Sequence, residues 1–199
     1  MALSLILASG SEIRATLLRN AGLTVEAIPA KIDEHTVKAA MQAEGATPRD
    51  IADALAEHKA RRVSAKHEGA LVLGCDQVAE VAGQLLSKPE TPDDAKAQLH
   101  QLAGRTHKLL SAAVICKAGQ PIWRHVGVVR LTMRPLSDGY VDDYVQRNWQ
   151  SIRHTVGGYK LEEEGVRLFS RIDGDYFTVL GLPLTELLAY LIDRGELAI

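Results

Sequence analysis

One carboxylate stands where a carboxylate is costly. Asp76 interrupts the apolar run "ALVLGCDQVAEV", and an acid placed there offsets its lost hydration by binding a metal or by acting on a proton. Structural pairing with a nearby Lys is the competing account. Near the start, "LILASGSEIRATLLRNAG" follows a short apolar run with Ser9, Gly10 and Ser11 and then opens an apolar stripe. A strand delivering small hydroxyl residues to a helix start leaves free N–H groups and the positive end of a helix dipole at one spot, which suits an anion. Arg14, one turn in, can fork onto phosphate oxygens. Taken alone, that stretch reads equally as a helix cap with a solvated Arg. Lys88 precedes Pro89, which stiffens its backbone, while Lys59 and Glu34, each alone, read as solvated positions, Glu34 also as a cap. As a set, Arg14, Lys59 and Lys88 supply cations for phosphates, and Glu34 and Asp76 supply oxygen ligands for Mg²⁺ or a base. Phosphoanhydride hydrolysis needs that combination of positioning, charge neutralisation and an oriented water.

The elements needed to position these residues follow from periodicity and caps. Leu3 to Ala8 is expected as a buried strand, and Ser11 begins a helix with Ile13, Leu17, Leu18 and Ala21 on its apolar side, ended by Gly22. Leu23 to Ile28 is a second strand, and Thr47 with Pro48 opens a long helix to His67. The Asp76 strand follows, then a tight Gly83 turn and "GQLLSKPE". Thr91 caps a helix to Ala103, "KAGQ" joins strands Thr106 to Lys117 and Pro121 to Met133, and Ser137 starts a helix to about Asn148. A polar loop "HTVGGYKLEEEG" precedes an expected strand pair, "VRLFSRI" and "YFTVLG", turning at Asp173 and Gly174, before a last helix from Pro183. Alternating helices and strands with hairpins mixed in predict an α/β fold: a mixed central sheet flanked by helices, in a single domain spanning residues 1–199.

Composition bounds the partners. The chain has 199 residues, 46% of them hydrophobic, enough for a substantial core. Its 23 Lys and Arg face 25 Asp and Glu, so no basic field exists to hold long nucleic acid. A small polyanion remains open as a ligand. Cys75 and Cys116 lie in apolar runs without metal spacing, which favours reduced core thiols. No stretch is long enough to span a bilayer and no secretory signal stands out, so a cytoplasmic location with no membrane partner is expected. His107 is expected in a strand, His125 and His154 as surface or satisfied residues, and Trp123 and Trp149 as packing or dimer contacts.

Several stretches together resemble the Maf family of nucleoside triphosphate pyrophosphatases. They are "LILASGS" with the Arg and Leu pair that follow, "IDE", the Lys of "AEHKA", "GCDQ", "LLSKP", "LAGRTHKLLSAAVI" and "GDYFTVLGLPL", in order from Leu5 to about Leu191. The resemblance implies a two-lobed α/β enzyme with a cleft, similar to inosine triphosphatases in fold and often a homodimer. Such an enzyme uses Mg²⁺ or Mn²⁺ to split a nucleoside triphosphate into the monophosphate and pyrophosphate. Carried over by position, Ser9, Ser11, Arg14, Lys59 and Lys88 would hold substrate, Glu34 and Asp76 would hold metal, and Asp76 would take the proton from water.

Departures from the commonest family pattern fall where substrate choice is expected. "GSEIR" places Ile13 where many members carry a basic residue, "GCDQ" places Gln77 where Thr is frequent, and "YKLEEEG" places Glu162 at a Gln position. This pattern is similar to the subgroup of 7-methylguanosine triphosphate pyrophosphatases. A carboxylate only accepts hydrogen bonds, and guanine presents N1–H and N2–H₂ side by side, so Glu162 fits that edge and rejects uracil and thymine. Glu163 and Glu164 read as solvated acids. The family's historical link to septum formation supplies the alternative, a nucleotide-binding regulator of cell division that hydrolyses nothing. Asp76 separates the two, because without a metal a carboxylate beside a triphosphate only repels it. A small-molecule hydrolase of another kind, acting on a sugar phosphate, would use the same cations but leave Gln77 and Glu162 no base to read.

Overall fold

A computed structural model describes residues 4–198. Its strands are β1 (Ser4–Leu7), β2 (Thr24–Ala27), β3 (Leu71–Val81), β4 (Gln84–Leu86), β5 (Thr106–Lys117), β6 (Gln120–Met133) and β7 (Phe169–Asp173). The helices are α1 (Glu12–Asn20), α2 (Glu34–Ala43), α3 (Pro48–Ser64), α4 (Pro92–Leu102), α5 (Asp138–Ile152), α6 (Tyr176–Val179) and α7 (Leu184–Asp193). The strands form one mixed sheet in the order β2-β1-β3-β5-β6-β7, with β4 hydrogen-bonded to β3. β1 runs parallel to both β2 and β3, while β4 and β7 lie antiparallel to β3 and β6. The α/β class and mixed sheet are as expected.

The chain divides into two compact units. The first is made of residues up to Gln77, Leu110–Gly127, and the chain from Tyr176 onward; the second is Val78–Leu109 and Val128–Asp175. Within the first unit, side chains alternate across the sheet. Leu5, Leu7, Leu73 and Cys75 pack with Ala15, Leu17 and Leu18 of α1 and Leu184, Leu187 and Leu191 of α7. Ile6, Ala8 and Val72 face the other way, onto Val63 of α3. In the second unit, α4 packs on α5, and buried His107 shares a 2.6 Å hydrogen bond with Tyr159 beside Phe169.

Four expectations are corrected. "YFTV" is the short helix α6 instead of a strand, with Tyr176 and Phe177 exposed, so β-propensity yields to a turn whose aromatics have no sheet face to bury. All of "VRL" lies in a 3₁₀ turn, Glu164–Leu168, and the strand starts only at Phe169. Helix α2 went unpredicted although Val37, Ala40 and Met41 lie at helical spacing and Asp33 caps its start, and none of its residues is fully buried. Helix α3 ends at Ser64 and α5 runs on to Ile152, shifts of one turn. Leu3, expected in β1, lies outside the described residues. Both cysteines are buried and free, and among the described residues no helix is long and apolar enough to cross a membrane.

Candidate active site

The chemistry gathers where β1 ends and β3 continues. β1 stops at Leu7, the Ala8 amide donates to Leu73, and β3 then runs on past its parallel neighbour. The loop of residues 8–11 therefore lies at the carboxyl end of a parallel strand, where open α/β sheets bind ligands. Ser11 is the N-cap of α1 by backbone geometry, yet its hydroxyl makes no capping bond; instead Ser9 Oγ accepts from the Ser11 amide at 3.2 Å. Helices α2, α3, α4 and α5 all start with a side-chain cap, from Asp33, Thr47, Thr91 and Ser137. The start of α1, like that of α7 behind Pro183, thus has no side-chain cap, and free amides at a helix start are of the kind that can accept an anion.

Asp76 sits on the α3 side of β3 by the same alternation that puts Cys75 on the α1 side. Helix α3 comes close enough to meet it only because residue 74 is Gly. A Cβ there would lie 2.1 Å from the Ala56 carbonyl oxygen and 2.7 Å from the Ala60 amide nitrogen. That contact brings Lys59, one residue before Ala60, onto Asp76. Lys59 Nζ lies 2.6 Å from Asp76 Oδ1 and 2.9 Å from Glu34 Oε1, with the Cys75 carbonyl at 3.5 Å. Lys59 and Asp76 are each 7% exposed, while Glu34, in the first turn of α2, is exposed. Burial pushes the Asp76 carboxyl above its ordinary range, against the pull of Lys59 and Arg14. Among the described residues Asp76 Oδ2 has no hydrogen-bond partner.

Arg14 meets the same backbone from the other side. Its Nη1 donates to the Cys75 carbonyl at 3.1 Å and to Ser9 Oγ at 3.3 Å, and its Nε to the Gly181 carbonyl at 2.8 Å. Gly181, with φ of 92°, has no room for a side chain, since a Cβ would sit 2.9 Å from Arg14 Nη2. Two nitrogens of the guanidinium are spent on protein carbonyls, which leaves Nη2 without a hydrogen-bond partner among the described residues. This long-range tie has no signal in the local sequence.

A divalent ion of the Mg²⁺ type takes one or two carboxylates and fills its remaining positions with phosphate oxygens and water. Glu34 and Asp76, drawn to one ammonium, form such a pair, and the donor set fits the ion. Among the described residues no cluster of three or more potential ligands exists that would form a closed site instead.

The first unit therefore brings together Ser9, Ser11, Arg14, Glu34, Lys59 and Asp76. Ile13 is half-buried against its core, and Gln77 is tied to Ser111 and α6. Lys88, exposed just after β4, and Glu162, exposed in the loop before β7, belong to the second unit. His107 is a buried strand residue, and Trp123 stacks on Tyr190 at 5.2 Å, so both serve packing.

The profile of the Maf-like protein family matches residues 4–194. The chain belongs to the Maf family. Among Maf-family relatives, a nucleoside triphosphate pyrophosphatase of Ruegeria pomeroyi is 65% identical over 195 residues, covering 98% of each chain. One of Roseobacter denitrificans is 66% identical over 193 residues, covering 97% of each. A 7-methyl-GTP pyrophosphatase of Mesorhizobium japonicum is 46% identical over 193 residues, again covering 97% of each.

Proposed function

We propose that this Maf-family chain hydrolyses a nucleoside triphosphate to the monophosphate and pyrophosphate, with Mg²⁺ or Mn²⁺, and prefers guanine nucleotides of the 7-methylguanosine type. Its cellular task is then to clear such nucleotides from the pool, in the cytoplasm and as a homodimer. The names of its relatives support the reaction. The observation that carries the reading is the ionic triangle of Lys59 with Asp76 and Glu34, beside Arg14 and the uncapped start of α1.

Ser9, Ser11 and the α1 amides receive phosphate oxygens, Arg14 binds through Nη2, and Lys59 and Lys88 add compact positive charges. Asp76 Oδ2 accepts the proton of the attacking water, while Oδ1 stays oriented by Lys59. Glu34 and Asp76 would hold the divalent cation, which supplies charge neutralisation on the phosphates. Ile13, Gln77 and Glu162 select the base. A binder without hydrolysis is disfavoured, because it gives the buried Asp76 carboxylate, with Oδ2 unpaired among the described residues, no task that offsets its desolvation.

The test is a pyrophosphate-release screen over normal and modified triphosphates with Mg²⁺, run on the unaltered protein and on Asp76→Asn. Removing a general base should cost on the order of 10³-fold in turnover. Circular dichroism should stay unchanged. Turnover of the variant within tenfold of the parent would remove Asp76 from the base role.

A further inference from the structure

The Gln77 amide is held in one sense. Gln77 follows Asp76 along β3 and so leaves the sheet on the opposite face. There its Nε2 lies 2.9 Å from the Val179 carbonyl, 3.2 Å from the Thr178 carbonyl and 2.9 Å from Ser111 Oγ. Carbonyls only accept, so the nitrogen end must face α6. Ser111, fully buried, gives its own proton to the Thr178 carbonyl at 2.7 Å, which leaves its Oγ only lone pairs to offer Gln77. The two amide hydrogens thus go to the two 2.9 Å acceptors, with Thr178 sharing at longer range. Turning the amide over would set Oε1 against the lone pairs of both carbonyls. Among the described residues Oε1 has no partner, and Gln77 is half-buried.

We propose that Ser111 is a positioning residue for base selection: by accepting one Gln77 amide hydrogen and tethering the Thr178 carbonyl beside the other, it locks in place the amide whose sense the α6 carbonyls set, with Gln77 Oε1 as an acceptor towards substrate. The proposal rests on the reading of the chain as a nucleoside triphosphate pyrophosphatase. An acceptor there pairs with a donating edge such as guanine N1–H and N2–H₂, and opposes the carbonyls of uracil and thymine. Glu162 offers acceptors only as well, so the two positions favour the same edge.

The test compares the unaltered protein with Ser111→Ala and Ser111→Thr. It measures kcat and KM for GTP and UTP, and dissociation constants for GMP and UMP by calorimetry. In Ser111→Ala the guanine-over-uracil ratio of kcat/KM should fall about fivefold, carried by KM for GTP and matched by weaker GMP binding. Ser111→Thr, which keeps the hydroxyl, should restore the ratio. An unchanged ratio in Ser111→Ala, or a threonine variant as impaired as the alanine one, overturns the proposal. If Ser111→Ala does not fold, Gln77→Met should lower the guanine-over-uracil ratio by about fivefold or more, and an unchanged ratio overturns the proposal too. An unaltered protein that releases no pyrophosphate refutes the enzymatic reading alone, since the GMP-to-UMP binding ratios still decide the role of Ser111.

Discussion

Replacing Lys59 by Met keeps the aliphatic stem inside α3 but leaves Asp76 buried beside no ammonium. Lys59 and Asp76 are 2.6 Å apart and 7% exposed each. Deleting one partner of such a pair costs about 3–5 kcal/mol at neutral pH, because the other charge stays desolvated. Glu34 is exposed and rehydrates, so the deficit falls on Asp76. The carboxyl can escape by keeping its proton, and that makes the deficit depend on pH. Burial already holds its folded pKa above the ordinary carboxylate range, and losing Lys59 raises it further. A raised folded pKa stabilises at pH below the unfolded value and loses that contribution as pH climbs through the folded one. Between the parent's folded pKa and the variant's, only the variant holds the proton, so its deficit should grow by about 1.4 kcal/mol per pH unit. Urea unfolding of both proteins at pH 5 and pH 8 measures this. A deficit that is equal at both pH values, or below about 1 kcal/mol throughout, would refute the account of Asp76 as a desolvated carboxylate held by Lys59.

Three other outcomes are expected. Gly74→Ala forces α3 away from β3, given a Cβ 2.1 Å from the Ala56 carbonyl, and should cost about 3 kcal/mol or more in thermal unfolding and depress pyrophosphate release together. Glu162→Gln should lower kcat/KM for GTP relative to UTP by about tenfold, and an unaltered ratio in the same assay removes Glu162 from base selection. Burial holds the His107 imidazole neutral with its pKa lowered to about 4 from 6.5, so its contribution is full above pH 6.5 and is lost as pH falls towards 4, by up to about 3 kcal/mol. His107→Leu should flatten that part of the stability profile, read by urea unfolding at pH 4.5 and 7.

What could be read in advance was what single residues betray. Asp76 was legible because a charge inside an apolar run is costly wherever the strand lies, and α3 and α4 because Thr47 and Thr91 precede Pro at a helix start. Three things were hidden. Lys59 looked like one charge on a charged helix, and only the contact at Gly74 turns it inward onto Asp76. Arg14 was expected to spend its fork on phosphate, but its Nε is held by a carbonyl 167 residues away. Ser111 carried no signal, because the carbonyl it meets belongs to α6, which β-branched and aromatic residues disguised as a strand.

The first unit is stitched from three stretches of chain, and the last, from Tyr176 onward, is also the last to be synthesised. A nascent chain that has just completed β7 already carries every charged group named here, yet has no Gly181 carbonyl to receive Arg14 and no α6 carbonyls to receive Gln77. A chain that stops between Asp173 and Tyr176 would thus carry these side chains without the carbonyls that hold Arg14 and Gln77 in place.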